Sequence, residues 1–222
     1  MDVFKTIDDI LLLDEKPSNK IEILMKEQEF IDSDFNIFNK LVNVPQDKKF
    51  HPEGNVWNHT KMVVDLASKI KKYSINSEIF MWSSIFHDIG KIKTTKFIKG
   101  RYRSYNHDLE GEKVTYNILK KYMNEDKAES ISEMVRFHMH HIYILKDLPF
   151  SNIDKLIKSS NYQDIILLFI CDKLGRGNQS LEEKINTVND VVVILDKLEG
   201  ITGKSNNDIK TKINNIKEII IK

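Results

Sequence analysis

One cysteine, four prolines and eight glycines in 222 residues set the first limits on this chain. Cys171 alone can form neither an intrachain disulfide nor a cysteine zinc cluster, and such sparing cysteine use fits a reducing cytoplasm. So little proline and glycine argues against a loop-rich or barrel fold. No apolar run is long enough to span a bilayer, so no membrane partner is expected. The start, Met1-Asp2-Val3-Phe4-Lys5, lacks the basic lead and apolar core of a cleavable leader. Net charge is nearly absent too: 34 Lys and Arg face 33 Asp and Glu. Any basic surface for a polyanion must therefore be local.

Apolar residues are plentiful, at 41%, and most recur on a helical period. Residues 3 to 16 place Phe4, Ile7, Ile10, Leu11 and Leu13 on one stripe. Pro17-Ser18 opens a second helix through Ile21, Leu24, Met25 and Phe30. Asp34 to Val44 reads as a third, with Phe35, Phe38, Leu41 and Val42 inward and Pro45 as its stop. After a turn at Pro52 and Gly54, a helix to about Tyr73 sets His59, Val63, Leu66 and Ile70 at i, i+4, i+7 and i+11. His59 thus faces the core. Further on, Ser77 can cap a helix ending at Gly90. Lys99-Gly100 can turn a short hairpin, and Asp126 to Glu129 resembles a capping box. Asn161 to Gly175 is a very apolar helix. Ser180 to Glu183 is a second capping box, for a helix stopped by Gly200. A last helix follows Ser205 to Asn207, with Ile209, Ile213, Ile216 and Ile220 on its stripe. The expected fold class is all-α.

The chemistry gathers around Ile85-Phe86-His87-Asp88-Ile89-Gly90-Lys91. A His-Asp pair inside an apolar run is costly unless it is paired or holds a cation, and both side chains are good ligands for a divalent ion. The plainer alternative is a helix end with a satisfied core histidine. His138 also falls on an inward stripe, with Ile131, Met134 and Val135. His140 and His141 follow it, in a loop if Pro149 shapes that stretch. Asp172 lies in register with Ile165, Leu168 and Phe169. An aspartate there calls for a cation, either a metal or Arg176 four residues on. Between Lys91 and His107 stand Lys93, Lys96, Lys99, Arg101 and Arg103 with no acidic residue, interleaved with Phe97, Tyr102 and Tyr105. Such a stretch suits a phosphate-bearing chain, or is simply a solvated hairpin. His51 lies in the loop before His59, with no role assigned.

Taken in order, His59, His87-Asp88, His107, His138 and Asp172 resemble the signature of the HD phosphohydrolase superfamily. HPEGNVWNHT, FHDIGK, TTK, RYRSYNHDLEG, VRFHMHH and CDKLGRG resemble, in the same order, segments of the HD domain of bacterial tRNA nucleotidyltransferases. They also resemble HD domains joined to polynucleotide-kinase-like modules. The resemblance runs from about Leu41 to Asn178. It implies an HD-domain helical bundle, and with the helical pattern on either side the expected organisation is that bundle over 41–200, a helical extension over 1–40 packed on it, and a C-terminal helix over 201–222. It also implies His59, His87, Asp88 and Asp172 as metal ligands, with His107 and His138 serving a second metal or the substrate. Asn106 stands where relatives often have glycine, and His140-His141 where many have other residues.

The implied cofactor is a divalent metal ion, with Mn, Fe, Ni, Co, Zn and Mg all open. The implied activity is phosphohydrolysis of a ribose-linked phosphate: a 2′,3′-cyclic phosphodiesterase, a phosphatase, or both, on RNA ends or nucleotides. Asp88, Lys91 and Arg176 are the expected catalytic residues. Lys91, Lys96, Arg101, Arg103 and Arg176 are expected to bind the substrate. No polymerase head fits before residue 41 and no glycine-rich phosphate loop is present, so CCA addition is not expected. The alternative is a regulatory nucleotide- or RNA-binding module that keeps a structural metal without turnover. Oligomeric state is left open.

Overall fold

Helix α1, Val3–Leu13, is capped by Asp2, whose carboxylate accepts from Lys5 N at 3.1 Å. Such a cap contributes about 1 kcal/mol. The computed structural model describes residues 1–221. Ile7, Ile10 and Leu11 of α1 are buried as expected, but Leu13 lies off the stripe and is 79% exposed. Helix α2, Pro17–Leu24, starts on a proline whose missing N–H costs nothing there. Asp65 accepts from both Ser18 N and Ser18 Oγ, at 3.0 and 2.7 Å. The helix does not run on to Phe30. The chain turns after Met25, whose carbonyl accepts from Asn39 Nδ2 at 3.1 Å, and restarts as α3, Gln28–Ile31. The third expected helix is likewise shorter: a 3-10 turn at Asp34–Asn36, then α4, Ile37–Leu41. Val42 falls past its end and is exposed, not inward.

Helix α5, Val56–Ile70, is capped by Asn55 and buries His59 on its first turns. Helix α6, Ser77–Phe86, is capped by Asn76 rather than Ser77. It is buried from Ile79 to Phe86, as befits a helix apolar on every side. It ends at Phe86, before Gly90. His87 to Gly90 form tight turns that lead into α7, Lys91–Thr94. Strands β1, Thr95–Ile98, and β2, Arg101–Ser104, pair antiparallel. Lys99 and Gly100 both have positive φ, 50° and 78°, as a two-residue hairpin turn requires.

Helix α8, His107–Leu119, packs along α9, Glu125–Phe137, which is capped by Asn124 and not Asp126. His140 and His141 are not in a loop: they open α10, His140–Leu145. After α11, Ile153–Lys158, comes α12, Tyr162–Leu174, buried from Asp164 to Asp172. Helix α13, Leu181–Thr202, has the expected reciprocal cap of Ser180 and Glu183. It passes through Gly200 and stops at Gly203, in the left-handed region at φ 65°. Helix α14, Asn207–Ile221, lays Ile209, Ile213 and Ile216 into the core. That stripe is spent within the chain.

The architecture is all-α apart from the hairpin. One core cluster runs from Val3 to Ile216. Phe4 of α1 stacks on Trp82 of α6 at 5.3 Å and on Tyr122 at 5.5 Å, which ties the N-terminal helices to the rest. Two glycines set the geometry at one end of the bundle. A Cβ on Gly90 would lie 2.0 Å from His107 O and 2.5 Å from Gly111 N. A Cβ on Gly175 would lie 2.4 Å from Val63 Cγ2. Only bare backbone lets α8 approach the His87–Gly90 turn, and the end of α12 approach α5.

Candidate metal centre

Of the seven histidines, five share one arrangement. His87 Nδ1 pairs with Ser84 O at 2.7 Å, His107 with Ser104 O at 2.7 Å, and His138 with Val135 O at 2.5 Å. His141 pairs with His138 O at 2.8 Å, and His59 with Gly175 O at 2.8 Å. A carbonyl only accepts, so in each pair the imidazole donates from Nδ1 and keeps its Nε2 lone pair when neutral. All five rings are buried. Five Nε2 lone pairs therefore turn toward two buried carboxylates, Asp88 and Asp172.

Asp88 faces two ways. Its Oδ2 lies 3.3 Å from His87 Nε2 and 3.7 Å from His59 Nε2. Its Oδ1 lies 3.4 Å from His107 Nε2 and 3.7 Å from His138 Nε2. Asp172 Oδ1 is 3.0 Å from His59 Nε2 and 3.9 Å from His87 Nε2. The donor atoms of His59, His87 and Asp172 all fall within 4.8 Å of one another, and so do those of Asp88, His107 and His138. Two donor groups thus sit side by side, with Asp88 offering an oxygen to each.

The charges agree with a cation-holding function. Burial opposes ionisation of both carboxyls. Lys91 and His87 nevertheless hold Asp88 well below the usual carboxylate range, and His59, Arg176 and His141 do the same for Asp172. Burial pushes His87 down, and takes His107 and His141 down to about 4. His59 runs the other way: burial is outweighed by its bonds to Asp172 and Glu53, which raise it to about 9. His138 is raised by Asp88 despite burial. A divalent cation held by these residues would supply the positive charge that protons on His59 and His138 otherwise bring. His107 and His138 oppose Nε2 to Nε2 at 3.1 Å, where two bare lone pairs would repel. His87 Nε2 and Asp88 Oδ2 are buried with no hydrogen-bond partner among the described residues. Buried polar atoms of this kind normally find one. Imidazole and carboxylate together are the mixture taken by Mn, Fe, Co, Ni or Zn. The residues fit a divalent metal.

A cavity of about 650 Å³ opens over the centre, with Asp88, His107 and Asp172 on its wall. Lys91, Arg101, Arg103 and Arg176 also line it; Lys96, expected to join them, is exposed on β1 and does not. Lys91 Nζ donates to Gln46 Oε1 at 2.9 Å and lies 2.7 Å from Asp88 Oδ2. The latter contact is an ion pair without hydrogen-bond alignment. Arg176 stands past the end of α12, not on its face beside Asp172 as the i+4 spacing suggested. Its Nε, like that of Arg103, is buried and unpartnered among the described residues. Asn106 holds φ 58° just ahead of His107, a conformation that asparagine tolerates better than other non-glycine residues. That accounts for its standing in place of glycine.

Two residues without a signal in the sequence brace this site. Glu53 accepts from Gly177 N at 3.2 Å and pairs with His51 Nδ1 at 2.9 Å, joining loops far apart in the chain. Gln46 fixes Lys91. His51, Glu53 and His59 also bring donor atoms within 4.8 Å. His59 Nδ1 is already committed to Gly175 O, so that set is a hydrogen-bonded brace. His140 points elsewhere, accepting from Asn152 N at 3.3 Å and packing on Phe137.

The HD domain family profile matches residues 56–200. The chain belongs to the HD domain family, and so to a superfamily of metal-dependent phosphohydrolases. It is similar to proteins called multifunctional CCA proteins. With that of Actinobacillus pleuropneumoniae serotype 5b it is 26% identical over 157 residues, which cover 68% of this chain and 37% of that protein. With that of Haemophilus influenzae it is 25% identical over 151 residues, covering 64% and 36%. With that of Neisseria meningitidis serogroup C it is 26% identical over 175 residues, covering 76% and 40%. The chain spans about two-fifths of the length of these curated relatives. Among the described residues, no helix is long and apolar enough to cross a membrane.

Proposed function

We propose that this chain hydrolyses a ribose-linked phosphate, as a 2′,3′-cyclic phosphodiesterase, a phosphatase or both, on RNA ends or nucleotides. One observation carries the reading. Asp88 offers each of its oxygens to a separate histidine pair, beside a cavity that also holds the Lys91, Arg103 and Arg176 cations. The similarity to proteins named for CCA supports an RNA end over a simple organic phosphate.

His59, His87, Asp88 and Asp172 would hold one divalent ion, and Asp88, His107 and His138 a second. A divalent cation on such donors lowers the pKa of a water and polarises a phosphoryl oxygen. Lys91 and Arg176 take the phosphate oxygens. Arg176 suits this because its guanidinium is a planar fork whose Nε has no partner among the described residues. Gln46 keeps Lys91 over Asp88, so the ammonium meets the phosphate without reorganising. Arg101 and Arg103 steer the rest of the substrate from the hairpin.

The test is a metal-supplemented screen of 2′,3′-cyclic nucleotides, of 2′-, 3′- and 5′-monophosphates, and of RNA with matching ends. Turnover of a cyclic or terminal ribose phosphate is expected. Turnover of 5′-nucleotides alone would defeat the RNA-end reading and leave a phosphohydrolase. With metal demonstrably bound and no phosphoester turned over, the chain would instead be a binding module.

A further inference from the structure

His141 is fully buried, yet its Nε2 has no hydrogen-bond partner among the described residues. Its Nδ1 is engaged by His138 O, and Phe169 packs against its ring at 5.2 Å, so the ring is held in orientation. His141 is one of the residues lining the cavity, and its free nitrogen lies 3.6 Å from Asp172 Oδ2. That oxygen is the one that Asp172 does not turn toward His59. A lone pair and a carboxylate oxygen facing each other in a buried site repel unless a positive centre lies between them. The bond to His138 O and the Phe169 contact fix the ring but leave Nε2 unpaired, and an apolar side chain would fill the same place without burying such a nitrogen.

We propose that His141 supplies a further nitrogen donor to the divalent ion held by His59, His87, Asp88 and Asp172, on the side of Asp172 Oδ2. This rests on the reading of the cluster as a metal centre. It raises the imidazole count at that ion from two to three. Imidazole-rich sites favour Zn, Co, Ni or Fe, whereas Mg keeps to oxygen donors and water. The centre then selects a borderline transition metal over magnesium, and His141 sets that preference.

The experiment measures metal binding, with activity left aside. The wild-type protein, His141→Ala and His141→Gln are each loaded with one equivalent of zinc or cobalt. X-ray absorption then counts the imidazole rings around zinc, the visible spectrum of the cobalt form reports its coordination, and competition titration gives the affinities. The wild type should show three rings per ion, and the variants two, with a changed cobalt spectrum. Affinity for zinc should fall by about tenfold or more relative to that for magnesium. Affinity alone does not decide, because loss of a merely orienting partner also costs about 10–100-fold. The ring count does. An unchanged count and cobalt spectrum in a folded variant overturns the proposal while leaving the metal centre intact. If neither variant folds, the wild-type count stands alone as the test: two rings overturn the proposal and three support it. A wild type that binds no transition metal would overturn the centre itself.

Discussion

Replacing Gly90 by alanine should dismantle half of the centre while touching no side chain in it. The backbone there is ordinary, at φ −65°, so alanine meets no conformational barrier. By stiffening the unfolded chain it should even stabilise slightly, by about 0.4–1 kcal/mol. The obstacle is steric. The new Cβ would lie 2.0 Å from His107 O, and ordinary contact begins at 3.4 Å. The start of α8 must therefore retreat by 1.4 Å, from 3.4 − 2.0, or the turn carrying His87 and Asp88 must move by as much. His107 Nε2 now lies 3.4 Å from Asp88 Oδ1. Functional groups need placement to within about 0.5 Å, so a shift of this size removes His107 from any ion it shares with Asp88. The variant should lose one equivalent of metal and keep the other. It should be destabilised by about 1–3 kcal/mol through overpacking, and turnover should fall by about 10² from misplacement alone.

The assay pairs metal analysis by mass spectrometry with denaturant unfolding. Gly111→Ala is the internal control. Its Cβ would meet Val135 Cγ1 at 2.9 Å, a side-chain atom that can give way, so the loss of stability should be smaller and metal content unchanged. A Gly90→Ala protein with full metal content and wild-type stability would refute the claim that backbone approach sets the geometry.

Three further outcomes follow from the surroundings of the site. Glu53→Gln should cost about 1.5–3 kcal/mol at neutral pH, since it weakens charge-assisted bonds at a buried carboxylate. Despite burial, His51 and His59 hold the Glu53 carboxyl below its ordinary 4.5, so its contribution is complete above about pH 4.5 and fades as pH drops further. Denaturation curves across that range should thus converge between wild type and variant in acid, and a constant gap would contradict the assignment. Lys91→Ala and Arg176→Ala should each lower kcat by about 10²–10³ on both small and large substrates, with metal content retained. The double change Lys96→Ala with Lys99→Ala should leave small-phosphate turnover alone. It should flatten the log–log salt dependence of RNA binding by roughly 0.7 for each phosphate no longer neutralised; an unchanged slope would mean that the hairpin tip does not touch RNA.

The all-helical class and the carboxylate–histidine set are readable in the sequence because each rests on side-chain identity. His59 falls on an apolar stripe, and Asp172 stands in register with Phe169; no backbone detail is needed to see that both face inward. The misplacements have a different origin. Val42 reads as buried only when the helical phase is carried past Leu41, where the helix ends. A second helix drawn through Met25 misses a break that depends on Asn39, fourteen residues on, donating to a backbone carbonyl. Arg176 shares a face with Asp172 only if α12 continues through Gly175, and it does not. Pro149 suggests a loop around His141, yet α10 has already ended at Leu145 by then.

These failures share a cause that also hides the order within the centre. His87, His107, His138 and His141 each donate to the carbonyl three residues back, a contact that commits one ring nitrogen and frees the other. The acceptors belong to Ser84, Ser104, Val135 and His138, and every residue carries the same carbonyl, so no choice of letter marks it. What aims five imidazoles at two carboxylates is therefore the placing of His87, His107, His138 and His141 at helix ends, together with the bare backbone of Gly90 and Gly175. The letters of the ligands name the chemistry, but helix termini and two missing methyl groups decide which nitrogen performs it.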